Sequence, residues 1–230
     1  MKESLNIVIT GARSGIGLRL TQLMIDSGHH VAAGVRKPTE ASDLKKINSD
    51  LLWVHELDVT SDESCDKFAK ALKLNHVDIL INNAGIYIQN DDRTTAQTSV
   101  QTLLTTFNTN CAGPLRVTAA LLPLLKKSNA SKIINITSKM GSIADNSSGG
   151  STAYRVSKTA LNMLTKSMAL EFPETTVICI HPGWVKTAMG GSSAPLTVDQ
   201  SAGGIIKLAL SAGRDKSGQF LNYDGQKLPW

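Results

Sequence analysis

The sequence predicts an α/β fold, one doubly wound parallel sheet of about seven strands with helices on both faces. Three observations carry that expectation. Short β-branched apolar runs alternate along the chain with stretches whose apolar residues recur at helical spacing. The runs are nearly continuous rather than alternating, as expected of strands covered on both faces. The 230 residues suit one domain with a sizeable core, and no repeat or linker divides them, so residues 1–230 read as a single domain.

Residues 5–10, LNIVIT, form the first strand, bounded by Gly11. A glycine-rich turn follows, then a helix over 16–27 that Gly28 ends. Residues 31–35 read as the second strand, Pro38 as a loop, 40–48 as a short helix and 51–55 as the third strand. Thr60, three before Glu63, reads as a capping box opening a helix through Leu72. The fourth strand spans 77–81 and runs into Asn82, Asn83, Ala84 and Gly85. Residues 94–127 read as largely helical, with Pro114 a local irregularity. The fifth strand is 132–137, followed by a Gly/Ser-rich loop over 138–150. Residues 151–167 carry Ala153, Val156, Ala160, Leu161, Met163 and Leu164 at helical spacing. Residues 176–181 form a sixth strand ended by Pro182 and Gly183, 187–196 a loop of small, flexible residues, 198–211 a helix and 219–223 the last strand.

Composition narrows the function classes. At 41% hydrophobic and 19% charged residues, the chain is neither disordered nor a coiled coil. No apolar run approaches the roughly 18 residues of a membrane span, and the N-terminus lacks a signal-peptide pattern. Three cysteines, few, odd in number and far apart, suit a reducing, cytoplasmic compartment without a disulfide framework. The net charge of +5 comes from bases scattered among acids, which is the pattern of solvated helix faces rather than a nucleic-acid stripe. The histidines, His181 included, show no metal-ligand spacing, so no metal site is expected. Asn135 matches N-x-[ST] but lies in a strand, where no glycan fits.

Thr10 to Gly17 reads TGARSGIG between the first strand and first helix, where helix N-terminal amides can hold a pyrophosphate. Gly11 permits a tight turn, Gly15 a close approach of backbone to phosphate, and Gly17 close helix–strand packing. The spacing differs from G-x-G-x-x-G, yet its place makes a Rossmann-like dinucleotide site the reading. The second strand ends in Arg36 and Lys37 where NAD-binding chains carry an acid. Guanidinium and ammonium groups attract a 2′-phosphate, and Arg13 in the turn can close on it. The expected cofactor is therefore NADP(H); the alternative is that Arg36 and Lys37 are surface charges.

Tyr154 and Lys158 stand four residues apart and share one helical face. A nearby cation favours phenolate and would make the tyrosine a usable acid or base. Taken alone, the pair also fits a half-packed tyrosine beside a lysine whose stem snorkels to water.

Together TGARSGIG, NNAG at 82–85, Asn110 in NTNCAG, Ser138, Tyr154-x-x-x-Lys158 and P-G-W-V-K-T at 182–187 resemble the short-chain dehydrogenase/reductase family, in its single-domain branch, over essentially the whole chain. SKMGSIADNSSGG ahead of Tyr154 and the ending GQFLNYDGQKLPW look like the C-factor/sniffer-like carbonyl reductases within it. The resemblance implies hydride transfer between nicotinamide and a carbonyl or alcohol. Tyr154 would supply the proton, Lys158 would lower its pKa and bind the ribose hydroxyls, Ser138 would hydrogen-bond the carbonyl oxygen, and Asn110 would hold a water linking Lys158 to solvent. It also places Gly11, Arg13, Ser14, Gly15, Ile16, Gly17, Arg36 and Lys37 around the phosphates. Asp58 and Val59 would lie against adenine, and Asn83, Ala84, Gly85, Pro182, Gly183, Val185 and Thr187 along the rest of the cofactor. Asn83 also reads as a strand-end turn, Thr187 as a helix N-cap, Trp184 as a pocket wall or packing, and Cys111 as packing.

Ser138 and Tyr154 stand a few residues further apart than is usual in the family. The polar segment 145–150 should bulge at the pocket mouth without moving either group, and Ser142 is the alternative serine. The leading expectation is an NADPH-dependent carbonyl reductase acting on a small-molecule carbonyl. A cofactor-binding signalling or regulatory protein of C-factor type with little turnover is the second, and an NAD-dependent alcohol dehydrogenase the third. The small, mobile-looking loop over 188–196 implies an open, permissive pocket. The resemblance implies a homodimer or homotetramer through the long fourth helix and the Tyr154 helix, with Leu161 and Leu164 on outer faces.

Overall fold

Strand order in the computed structural model, which describes residues 4–88 and 94–230, is β3-β2-β1-β4-β5-β6-β7, every neighbouring pair parallel. The strands are β1 (Asn6–Thr10), β2 (His30–Val35), β3 (Leu52–Glu56), β4 (Ile79–Asn82), β5 (Lys132–Ile136), β6 (Thr176–His181) and β7 (Phe220–Asn222). The helices are α1 (Gly15–Asp26), α2 (Ser42–Lys45), α3 (Asp62–Ala71), α4 (Val100–Phe107), α5 (Gly113–Leu125), α6 (Thr152–Glu171) and α7 (Val198–Ser211).

Strand alternation sorts the core into two layers. Ile7 and Ile9 of β1 pack with Leu20 and Met24 of α1 and Ile205 and Leu208 of α7. Val8, between them, joins Phe68 of α3, Leu121 and Leu125 of α5 and Met168 of α6 on the opposite face. Both faces are thus covered, which is why the strands read as unbroken apolar runs. From β1 the chain winds outward through β2 and β3, then returns to lay β4 on the other side of β1. The carboxyl ends of β1 and β4 therefore border the switch-point crevice where doubly wound sheets bind ligands.

Several local expectations change. The N-cap of α3 is Ser61, whose hydroxyl accepts from the Ser64 amide (3.2 Å), not Thr60. The Thr60 hydroxyl donates instead to Asp58 Oδ1 (2.7 Å), so a carboxylate on its N-terminal side outcompetes the helix amide. The expected helix over 40–48 divides into a 3-10 turn at Pro38–Glu40 and the single turn α2. The stretch 94–127 is α4, a π-helical segment at Asn108–Ala112, and α5, with Pro114 in the first turn of α5 where its missing amide hydrogen costs nothing.

Leu161 is not on an outer face; it is 1% exposed, and Leu164 packs against the inner layer. The solvent-facing apolar residues of α6 are Val156, Met163 and Leu170, each two turns from the next. The reason is phase, because the face that buries Lys158 and Leu161 against the sheet leaves those three pointing away. Val100, Leu104 and Phe107 of α4 are exposed likewise. Asn135 is fully buried in β5. Among the described residues, no helix is long and apolar enough to cross a membrane.

Candidate active site

Thr10 ends β1, and its hydroxyl accepts from the amides of Asn83 and Ala84 (both 3.0 Å). Asn83 returns the contact, its Nδ2 donating to the carbonyls of Thr10 (3.0 Å) and Gly11 (3.2 Å). The glycine turn and the segment after β4 are thereby joined across the crevice. Gly11 has φ +66°, and a Cβ there would stand 2.8 Å from Ala84 Cα, so glycine serves both the turn and this close approach. A Cβ on Gly15 would reach Thr187 Cγ2 at 3.4 Å, which places the 182–187 segment opposite the turn. Thr187 caps its own loop, accepting from the Gly190 amide (3.1 Å).

The loop that follows is tied at its base rather than free. Lys186 donates its amide to the Leu196 carbonyl (2.9 Å) and Leu196 its amide to that of Trp184 (3.2 Å). Val185 is buried there, and the exposed Trp184 ring donates its Nε1 hydrogen to the Gly190 carbonyl (2.7 Å). The Pro182 carbonyl accepts from Ser201 Oγ (2.6 Å), and Gly183 turns the chain at φ +83°.

The turn offers an anion site. Ser14 at the N-cap of α1 makes no side-chain capping bond, and no acid lies in the first turn. The Gly15, Ile16 and Gly17 end of the helix thus keeps its partial positive charge for a ligand. Beyond it, Glu40 pairs with Arg13 (3.4 Å) and Lys37 (2.8 Å), and the cations of Lys37, Arg13 and Arg36 hold its carboxyl below the usual range. One carboxylate thus already sits among the three cations expected to take a phosphate. Asp58, held acidic chiefly by the Thr60 hydroxyl, and Val59, against which Gly113 packs, close this side. These groups fit a phosphorylated dinucleotide: a glycine-lined turn, an uncapped helix N-terminus and clustered cations.

Next to this cradle lie Ser138, Tyr154, Lys158 and Asn110. Lys158 is 4% exposed, donates to the Ile136 carbonyl (2.9 Å) and lies 5.7 Å from the Tyr154 ring centroid. Burial lowers its pKa to about 8. Tyr154 is hydrogen-bonded to Ser138 but is pushed up to about 12, chiefly by burial, with Tyr87 adding to the rise and Ser138 opposing it. The expectation that Lys158 lowers the tyrosine is therefore not met. Desolvation disfavours both charged forms, and a lysine whose own charge is penalised polarises its neighbour weakly. Tyr154 accordingly remains a neutral phenol with a proton to give.

Asn110, in the π-helical segment, is fully buried. Its Nδ2 donates to the Ile86 carbonyl (2.9 Å) and Ser157 Oγ (3.1 Å), and its Oδ1 accepts from the Ile86 amide (2.8 Å). A Cβ on Gly85 would lie 3.2 Å from Asn110 Oδ1 and 3.6 Å from Lys158 Nζ, so both groups converge on that glycine. Cys111 beside it is raised by burial. Ser142 points elsewhere, donating to the Trp230 carbonyl (3.0 Å) and accepting from the Asp145 amide (3.1 Å).

Sequence reasoning overlooked three residues here. Arg155 laces the extra loop, its Nε donating to the carbonyls of Gly149 (3.1 Å) and Gly150 (2.9 Å) and its Nη2 to Ser148 Oγ (3.0 Å). Its position after Tyr154 was the only available signal. Tyr87 sets its ring against that of Tyr154 at a tilt, and Glu40 occupies the cation cluster; neither lies in a recognisable motif.

Comparison with known proteins gives a consistent picture. The family model described as short chain dehydrogenase matches residues 5–198. The C-signal of Myxococcus xanthus is 40% identical over 168 residues, covering 71% of this chain and 98% of that protein. The short-chain dehydrogenase RED3 of Pyricularia oryzae is 31% identical across 100% of both chains. Among solved structures, the carbonyl reductase Sniffer of D. melanogaster superposes with a TM-score of 0.92 at 34% identity, over 99% of this chain and 100% of that one. The NADPH-bound carbonyl reductase from chicken fatty liver matches with the same TM-score of 0.92, 34% identity, and 99% and 100% coverage.

Proposed function

This chain belongs to the short-chain dehydrogenase family of oxidoreductases, and from that premise we propose that it is an NADPH-dependent carbonyl reductase. The observation that carries the proposal is Tyr154, a neutral phenol hydrogen-bonded to Ser138, one helical turn from the buried Lys158 and beside the anion cradle. The NADPH-bound avian carbonyl reductase at 34% identity supports the choice of reaction and cofactor.

Bound in the cradle, the nicotinamide cofactor would supply the hydride that the carbonyl carbon accepts. Tyr154 gives its proton to the carbonyl oxygen as negative charge develops there. Ser138 stabilises that charge by hydrogen bonding. Lys158 holds the ribose hydroxyls, and Asn110 fixes a water through which Tyr154 is reprotonated. The uncapped end of α1 would receive the pyrophosphate, while Arg13, Arg36 and Lys37 would take the 2′-phosphate.

Turnover of a panel of small aldehydes, ketones and quinones with NADPH and with NADH tests this reading. NADPH should be preferred, and Arg36→Asp should remove the preference by raising KM for NADPH at least tenfold. Tyr154→Phe should abolish turnover while cofactor binding persists. Preference for NADH would favour an NAD-dependent alcohol dehydrogenase, and unchanged NADPH use in Arg36→Asp would make Arg36 a surface charge. The likeness to the C-signal of Myxococcus xanthus favours one further reading, a cofactor-binding signalling protein. Cofactor binding without turnover, unaltered by Tyr154→Phe, would support it.

A further inference from the structure

The helix that carries Tyr154 begins in an unusual conformation. Gly149, Gly150 and Ser151 have φ of +61°, +70° and +49°, three successive left-handed residues leading into α6. Ser151 is the only non-glycine residue with positive φ among those described. Serine is a common N-cap, but from extended backbone and with its hydroxyl on a helix amide. Here the cap is left-handed and makes no side-chain capping bond. Glycine would fit that backbone without cost, so the serine side chain needs another explanation.

The Ser151 hydroxyl pairs with the Tyr87 hydroxyl at 2.7 Å. The Tyr87 ring in turn stands 5.0 Å from the Tyr154 ring, tilted by 59°, within the range of favourable aromatic contact. A second tie from the same side joins Thr95 Oγ1 and Thr152 Oγ1 at 3.1 Å. One residue thus grips both the start of the catalytic helix and the phenol it presents.

We propose that Tyr87 and Ser151 form a positioning couple for Tyr154: the Tyr87 hydroxyl holds Ser151 in its left-handed turn, and the Tyr87 ring fixes the Tyr154 phenol against Ser138. The couple rests on the reading of Tyr154 as the proton donor. Ser151 keeps its strained backbone because its hydroxyl is needed by Tyr87, in line with strain collecting at functional sites. Tyr87 touches the donor's ring and acts through it, so its contribution belongs to kcat and not to cofactor affinity.

The test measures kcat, KM for NADPH and Tm in the full chain, with benzil and menadione as probes, for Tyr87→Phe, Ser151→Gly, the double variant and Tyr154→Phe. Tyr87→Phe keeps the ring and loses the hydroxyl. Ser151→Gly loses the hydroxyl and relieves the backbone, so its Tm should not fall. Each should lower kcat by roughly threefold to tenfold, the worth of one hydrogen bond, with KM for NADPH unchanged. Because both remove the same bond, the double variant should be no slower than the slower single variant. Wild-type kcat in both single variants, or losses that multiply in the double, overturns the couple. Full activity in Tyr154→Phe, or no NADPH-linked turnover of either probe by the unaltered chain, overturns the reading of Tyr154 and the couple with it.

Discussion

Lys158 titrates near 8 in the fold because burial penalises its charge. Below that pH the side chain is a cation able to hold ribose hydroxyls, and above it the charge is withdrawn. Carbonyl reduction should therefore decline as pH rises through about 8, and the limb should be seen in kcat/KM, which reports groups of the free enzyme. A flat alkaline profile would contradict this role. Tyr154, pushed up to about 12, stays protonated across the same range and adds no limb of its own. The two serines differ in the same concrete way. Ser138 hydrogen-bonds Tyr154, whereas Ser142 is committed to Trp230 and Asp145. Ser138→Ala should lose about 10²–10³ in kcat, and Ser142→Ala far less. The reverse order would make Ser142 the oxyanion donor. The Tyr154–Lys158 spacing was legible in the sequence, but the direction of the phenol's pKa was not, because burial is set by the packing of α6 on the sheet.

At the scale of the element, the segment between α4 and α5 shows what periodicity misses. A π-helical segment at Asn108–Ala112 accommodates an extra residue per turn, and such segments collect at functional sites. It brings Asn110 onto Ile86 and Ser157. In the sequence, the apolar spacing across 94–127 reads through this interruption, since one altered turn barely disturbs a long periodic pattern. The start of α3 teaches the same lesson at a cap. Thr60 and Ser61 are chemically near-equivalent candidates, and only the position of Asp58 decides between them. Ser61→Ala should cost the fold about 1 kcal/mol in a denaturant titration. Equal loss of helix capping in Thr60→Val would contradict the assignment.

At the scale of the molecule, the apolar residues left outside matter most. Val156, Met163 and Leu170 of α6, with Val100, Leu104 and Phe107 of α4, are exposed on helices packed side by side. Exposed apolar residues gathered on one side can form an association surface, and we propose that a two-fold axis buries these residues from two copies. Met163→Glu together with Leu170→Glu should shift the chain to a lower mass in sedimentation equilibrium. An unchanged mass would locate association elsewhere. The same α6 carries Tyr154 and Lys158, so the proposed association would place a subunit contact on the helix of the site.

The sequence by itself determined the parallel α/β architecture, the order of its elements and the chemistry-bearing motifs. Those rest on local periodicity, glycine punctuation and residue spacing, all of which are written along the chain. Tertiary structure alone decided how the pieces meet. Thr10 and Asn83, 73 residues apart, join at the switch point only because β1 and β4 become neighbours. Leu161 goes inward and Met163 outward because α6 settles at one phase against β5 and β6. Tyr87 reaches Ser151 and Tyr154 only once the segment after β4 lies over the start of α6. Contacts between residues distant in sequence depend on the whole arrangement, and no local pattern records them.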